Sequence, residues 1–349
     1  MIERPAVRQE DCLNAHVSSG RACCTRCADI CPADAITVGQ THIPRLDETR
    51  CTACTACAAI CPADAITHKK VKPRHIIEHA RSLVAQGKTG LRAACSAVSD
   101  PSADLTISCH ATWDPLLLAC LAAEGLRALE LNGLTQCTSC SIRHGASMMK
   151  QTEKDYALLN KALGVQLEIR HQVTDHDPKA ARAAPPVPER RFFFRRFVSS
   201  VVQSAAMATA TIEKKTIRPV EAGAKPSSGL PIRLRLFLQA LPKLQPSFTP
   251  VPTMPSIPMG AIQADARCTA CNACVEQCPT GALELRSFGT NGILEFGPDA
   301  CIGCGLCVDT CPEHAIEPLP AISLPVIMAR QTRPLVMVPF RDAGKSAAL

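Results

Sequence analysis

Residues 72–87 place Ile76, Ile77, Ala80, Leu83 and Val84 one, three and four positions apart and stop at Gly87, the pattern of an amphipathic helix with a glycine end. Four short apolar runs follow, at 90–95, 105–109, 128–131 and 165–169, and each reads as a strand. Between the second and third, Asp114 and Pro115 precede an apolar stretch that ends at Gly125. This predicts a helix with an aspartate N-cap and proline at its first position. Strands alternating with helices predict a small α/β domain on a parallel sheet, with ligand sites beyond the carboxyl ends of the strands. Further on, Leu230, Leu234, Leu238 and Leu241 recur at spacings of four, four and three, predicting a second, basic helix. Residues 316–327 and 335–338 read as strands. The nearest approach to an uninterrupted apolar run, the uncharged stretch 197–212, is broken by Ser199, Ser200, Gln203, Ser204 and two threonines, so no transmembrane segment is expected. The first twelve residues are charged and lack an apolar core, so no secretory signal is expected.

Composition changes this picture mainly through cysteine. A chain of 349 residues has room for two or three domains, and its 22 cysteines pose a choice between disulfides and metal. The spacing decides for metal. Cys268, Cys271, Cys274 and Cys278-Pro279 form a CxxCxxCxxxCP run, repeated at Cys301, Cys304, Cys307 and Cys311-Pro312 and again at Cys51, Cys54, Cys57 and Cys61-Pro62. A fourth copy, Cys24, Cys27 and Cys31-Pro32, has Arg21 where the leading cysteine belongs. Cys12 and Cys23 are the candidates to replace it. Cys12 is favoured, because adjacent residues such as Cys23 and Cys24 seldom present both side chains to one cubane. Three thiolates two residues apart on loops of small residues wrap three corners of a [4Fe-4S] cube. The fourth lies one residue too far along and ligates the neighbouring cluster.

These runs closely resemble the two-cluster bacterial ferredoxins. The expected ligand sets are Cys268, Cys271, Cys274 and Cys311; Cys301, Cys304, Cys307 and Cys278; Cys51, Cys54, Cys57 and Cys31; and Cys12, Cys24, Cys27 and Cys61. After each Cys-Pro come two residues and then Ala35-Ile36, Ala65-Ile66, Ala282-Leu283 or Ala315-Ile316. The resemblance implies that each apolar pair opens a short strand covering a cluster. Zinc knuckles are the competing reading, but zinc sites pair two CxxC units across a longer gap, and iron–sulfur is favoured. The formal charge of +7 counts cysteines as neutral. Four oxidised clusters at roughly −2 each would bring the chain to about −1, so global basicity is no argument for nucleic acid.

In the middle region, Cys95 and Cys109 fall at strand ends and Cys137 and Cys140 follow another strand. Cys95, Cys109 before Asp114-Pro115-Leu116-Leu117, and Glu130-Leu131-Asn132-Gly133 leading into Cys137-Thr138-Ser139-Cys140 together resemble the iron–sulfur delta subunit of methyl-viologen-reducing hydrogenases. That resemblance implies a [2Fe-2S] centre on these four cysteines, passing electrons to a partner enzyme. It departs from the family at His110-Ala111, where Gly-Arg is expected, and in the short final gap. The alternative is that the four are small core residues. Cys120, inside its apolar helix, is read as core, and Arg143 and His144 as solvated or as charges near a cluster.

From 175 the chain is rich in proline and basic residues. Arg190-Arg191-Phe192-Phe193-Phe194-Arg195-Arg196-Phe197 resembles a twin-arginine signal but stands far from the N-terminus, and reads instead as a docking segment. Prolines 242, 246, 250, 252, 255 and 258 predict an extended tether.

The expected architecture is α+β and multidomain: two ferredoxin-like modules of two [4Fe-4S] clusters each (1–70 and 259–340) flank a small α/β domain (71–174) and a Pro-rich basic linker (175–258), with a tail at 341–349. The sequence carries no GxGxxG, P-loop, nucleophile-elbow or HExxH motif, so neither nucleotide nor hydrolytic chemistry is indicated. The expected function is cytoplasmic electron transfer through four [4Fe-4S] clusters, with a fifth centre on the middle cysteines, between a donor oxidoreductase and a low-potential acceptor. Redox proteins are the expected partners, and nucleic acid is not. The alternative is an oxidoreductase subunit with thiol or sulfur chemistry at Cys95, Cys109, Cys137 and Cys140.

Overall fold

The computed structural model describes residues 4–16, 24–39, 43–68, 72–172 and 229–340. The docking block at 190–197, the uncharged stretch 197–212, Arg21, Cys23 and the tail lie outside them. The architecture is mixed α and β.

The middle domain carries a four-stranded, all-parallel sheet in the order Leu105–Ile107, Gly90–Cys95, Ala128–Asn132, Glu168–Gln172. Helix Pro73–Ala85 buries Ile76, Ile77, Ala80 and Leu83, the stripe its spacing requires. Helix Pro115–Ala123 is apolar on every side and is buried on every side: Leu116, Leu118, Ala119 and Leu121 are fully enclosed. Its start is fixed by the Asp114 carboxylate, which accepts from the backbone N–H groups of Leu116 and Leu117 at 3.1 and 3.0 Å. Helix Gly145–Asn160, which the sequence pattern did not suggest, packs Met149, Tyr156 and Leu159 on the same core.

The terminal segments share one strand plan. In the first, Ala6–Val7 pairs antiparallel with Ile66–Thr67, and Ile36–Val38 forms a hairpin with Pro44–Leu46. In the second, Ile262–Ala264 pairs with Ile316–Pro318, and Leu283–Phe288 forms a hairpin with Asn291–Phe296, to which Arg333–Pro339 adds a third strand. In both, the strand preceding the first cysteine run is tied to the strand following the last Cys-Pro. The expected strand over 316–327 is interrupted. It ends at Pro318, resumes at Ala321–Ile322 and becomes helix Leu324–Met328, since Pro318 and Pro320 supply no ladder N–H and Pro325 suits a first helical turn.

Residues 229–258 are folded against the rest. Helix Ile232–Ala240 buries Leu234, Phe237 and Leu238, and the turn after it buries Leu241 and Leu244, in the core that holds helix Pro115–Ala123. Val251–Pro252 then pairs with Ala321–Ile322. Arg233 ties three parts together. Its guanidinium lies 3.2 Å from Asp114 and 3.7 Å from Asp64, and donates to the Ala59 carbonyl at 2.9 Å, while its backbone N–H reaches Asp64 at 3.3 Å.

Candidate metal centres

Each intact cysteine run adopts one backbone conformation. Between its first three cysteines, alternate residues take the left-handed region: Ala53 and Thr55 (φ 54° and 69°), Ala270 and Asn272 (54° and 68°), Gly303 and Gly305 (60° and 82°). Such alternation turns successive N–H groups to one side and makes an anion-binding concavity. Only short side chains tolerate it. At Gly303 a Cβ would also lie 2.8 Å from the Met259 carbonyl oxygen. The turn after each Cys-Pro repeats as well. Asp34, Asp64, Gly281 and His314 all have positive φ, and each donates its N–H to the carbonyl of the preceding Cys31, Cys61, Cys278 or Cys311.

That turn explains the recurrent alanine. The Ala35, Ala282 and Ala315 N–H groups donate to Sγ of Cys31, Cys278 and Cys311 at 3.2, 3.2 and 3.3 Å, and all three alanines are buried. The strand expected after each of the four Cys-Pro turns then begins: Ile36–Val38, Ile66–Thr67, Leu283–Phe288 and Ile316–Pro318.

The thiols converge in four groups. Burial pushes the Cys27 thiol up to about 12, with Cys24, Cys61 and Cys12 adding repulsion. Burial likewise raises Cys57, among Cys54, Cys31, Cys27 and Cys51. Cys274 is pushed to about 12 by burial and by Cys268, Cys271 and Cys311. Cys307 is raised by burial and by Cys304, Cys301, Cys278 and Cys274. Each terminal segment therefore holds two thiol groups side by side, and each group contains the last cysteine of the other run. Cys12 enters its group on a loop clamped by Asn14, whose side chain accepts from the Cys24 N–H at 2.8 Å and donates to the Cys24 carbonyl at 3.0 Å. The cavity lined by Cys278, Cys301, Cys304 and Cys307 has a volume of about 240 Å³. Burial therefore disfavours the thiolate form that a ligand must take, and thiolates here would need a compensating positive charge beside them.

The middle cysteines also meet, around a small pocket at the carboxyl edge of the parallel sheet lined by Cys95, Cys109, Cys137 and Cys140. Burial raises the Cys95, Cys109 and Cys137 thiols, Cys109 to about 12. The N–H groups of Ala111 and Ile142 point at Sγ of Cys109 and Cys140, each at 3.5 Å. Two glycines make room: a Cβ on Gly133 would lie 2.5 Å from the Cys95 sulfur, and one on Gly145 would lie 2.9 Å from that of Cys109. His110 borders the pocket, but its nitrogens face the Asn132 carbonyl at 2.9 Å and the Trp113 indole N–H at 3.2 Å, leaving neither for a metal. Cys120 is buried in the core of its helix. This pocket adjoins the N-terminal segment: Cys54 packs with Cys109 and Ala111, and the Thr55 hydroxyl meets that of Thr112 at 2.8 Å.

The model of the 4Fe-4S dicluster domain family matches residues 21–65 and 267–315. Both terminal segments thus carry 4Fe-4S dicluster domains. The match and the cysteine runs together support an iron–sulfur electron-transfer role. No curated protein matches the chain. Neither comparison supports the likeness of the middle region to the hydrogenase delta subunit or its [2Fe-2S] centre. Among the described residues, no helix is long and apolar enough to cross a membrane. Nor, among them, is any group of three or more His, Cys, Asp or Glu side chains disposed to hold a single metal ion.

Proposed function

We propose that this chain relays electrons through four [4Fe-4S] clusters, and through a fifth iron–sulfur centre in the middle domain, between a donor oxidoreductase and a low-potential acceptor protein. The observation that carries the reading is the crossing of thiols between runs: Cys27 is surrounded by Cys12, Cys24 and Cys61, and Cys307 by Cys278, Cys301 and Cys304. The proposed ligand sets are these two, with Cys31, Cys51, Cys54 and Cys57 and with Cys268, Cys271, Cys274 and Cys311. Bound clusters supply one-electron transfer. The chain holds the thiolates, offers N–H groups to sulfur and excludes water with the buried Ala-Ile and Ala-Leu pairs. Cys95, Cys109, Cys137 and Cys140 would hold the fifth centre. Their arrangement supports ligation: all four line one small pocket, and the N–H groups of Ala111 and Ile142 point at Sγ of Cys109 and Cys140.

The test is iron, sulfide and zinc content with EPR after anaerobic purification. About sixteen iron and sixteen sulfide per chain are expected from the terminal segments, with about two to four more of each from the middle pocket, and a zinc-filled, iron-free protein would refute the reading. Protection of Cys137 and Cys140 from alkylation in the loaded protein separates the fifth centre from free-thiol chemistry.

A further inference from the structure

The two dicluster segments are separated in sequence by the whole middle domain, yet they touch. Arg26 stands between Cys24 and Cys27. Its guanidinium reaches across to the carbonyls of Gly303 and Pro255, each at 3.4 Å. Gly303 immediately precedes Cys304, and Arg26 forms part of the wall of the cavity lined by Cys278, Cys301, Cys304 and Cys307. Beside it, Cys24 packs against the same hydrophobic core as Cys304, Leu306 and the buried Ile302 and Met259. One arginine side chain therefore spans the gap between a thiol group of the first segment and a thiol group of the second.

The other neighbour relations complete an order. The middle pocket adjoins the group containing Cys54, which adjoins the group containing Cys27. Across Arg26 comes the group containing Cys304, and beyond that the group containing Cys274. At this far end Cys271 is exposed. The spatial order differs from the order along the chain, where the middle cysteines separate the two segments.

We infer that the two dicluster segments join at Arg26 into one unbranched relay, running from the middle pocket to the exposed Cys271, and that Arg26 is a positioning residue that raises the potentials of the two centres it separates. The inference rests on the cluster ligation proposed above. Its physics is Coulombic. A cluster gains negative charge on reduction, so a fixed guanidinium beside two clusters stabilises their reduced forms. Arg26 is only partly buried, so salt screens part of the effect.

The experiment is an EPR-monitored redox titration of the full-length reconstituted protein, comparing wild type, Arg26→Gln and Arg26→Lys, with signals assigned by their loss in Cys24→Ser and Cys304→Ser. In Arg26→Gln, with iron content unchanged, two potentials shift downward: the one lost in Cys24→Ser and the one lost in Cys304→Ser. The centres at Cys57 and Cys274 keep theirs. Arg26→Lys keeps the charge and most of the potential. Added salt lowers the same two potentials in wild type but not in Arg26→Gln. Unchanged potentials in Arg26→Gln, or a shift confined to one segment, overturn the junction while leaving the ligation standing. A protein that binds no iron and sulfide overturns both.

Discussion

Replacing Arg233 by methionine removes the cation of a nearly buried triad. Side-chain exposures are 11% for Arg233, 5% for Asp114 and 9% for Asp64. The guanidinium is the partner of Asp114 at 3.2 Å, and its loss leaves that carboxylate with only the N–H groups of Leu116 and Leu117. It also strips the Ala59 carbonyl of its 2.9 Å donor. Breaking a buried pair by removing one partner costs roughly 3–5 kcal/mol, and methionine of similar length keeps the cavity term small. Burial raises the Asp114 carboxyl above its ordinary range, while Arg233 pulls it down. Without Arg233 it rises further. A carboxyl whose folded value exceeds its unfolded value binds more protons when folded, so its contribution is most favourable at low pH and is lost as pH rises through the folded value. The deficit of Arg233→Met relative to wild type should therefore shrink from pH 8 toward pH 5.5. Urea unfolding of the loaded protein, followed by far-UV circular dichroism at both pH values, measures it. Arg233→Met/Asp114→Asn should recover part of the loss by a double-mutant cycle. A deficit below about 1 kcal/mol, or one that is the same at both pH values, would refute the reasoning.

Three further outcomes follow from the thiol groups. Cys278→Ala should disturb the cluster on Cys301, Cys304 and Cys307, read by EPR spin quantification; loss confined to the centre at Cys268 would reverse the crossed assignment. Cys12→Ser should cost one N-terminal cluster in iron content and EPR, while Cys23→Ser leaves both intact; the opposite pair of results would move the ligand to Cys23. Gly133→Ala brings a Cβ within 2.5 Å of the Cys95 sulfur at φ 104°, so it should destabilise the middle domain by about 2–5 kcal/mol, the sum of strain and overpacking, and lower iron content there. Equal stability and iron content in this variant would mean that the pocket has slack.

What was readable in the sequence was local. Asp114, Pro115 and Gly125 mark their helix because capping is decided within a few residues, and the strand Gly90–Cys95 begins and ends where its apolar run does. The cysteine runs were readable for the same reason: a motif of fixed spacing carries its own loop geometry, including the left-handed Ala53, Thr55, Ala270 and Asn272. The helix Gly145–Asn160 was missed because its buried positions, Met149, Tyr156 and Leu159, are sparse among polar residues and His144 provides no side-chain cap. Contacts across long separations left no trace. Nothing near Arg233 announces Asp114, nothing near Arg26 announces Gly303, and prolines that read as a tether instead set Val251–Pro252 on Ala321–Ile322.

The Arg233 triad also imposes a schedule on biosynthesis. Asp64 and Arg233 are 169 residues apart. At about 5–20 residues per second, roughly 8–34 s pass between their departures from the ribosome. Asp64 awaits its cation throughout that interval, and once helix Pro115–Ala123 has emerged its face later covered by Leu234, Phe237 and Leu238 stays bare, with Asp114 unpaired beside it, until those residues follow. A nascent chain arrested before residue 233 should therefore be captured by holdase chaperones, and one arrested well past residue 258 should be released.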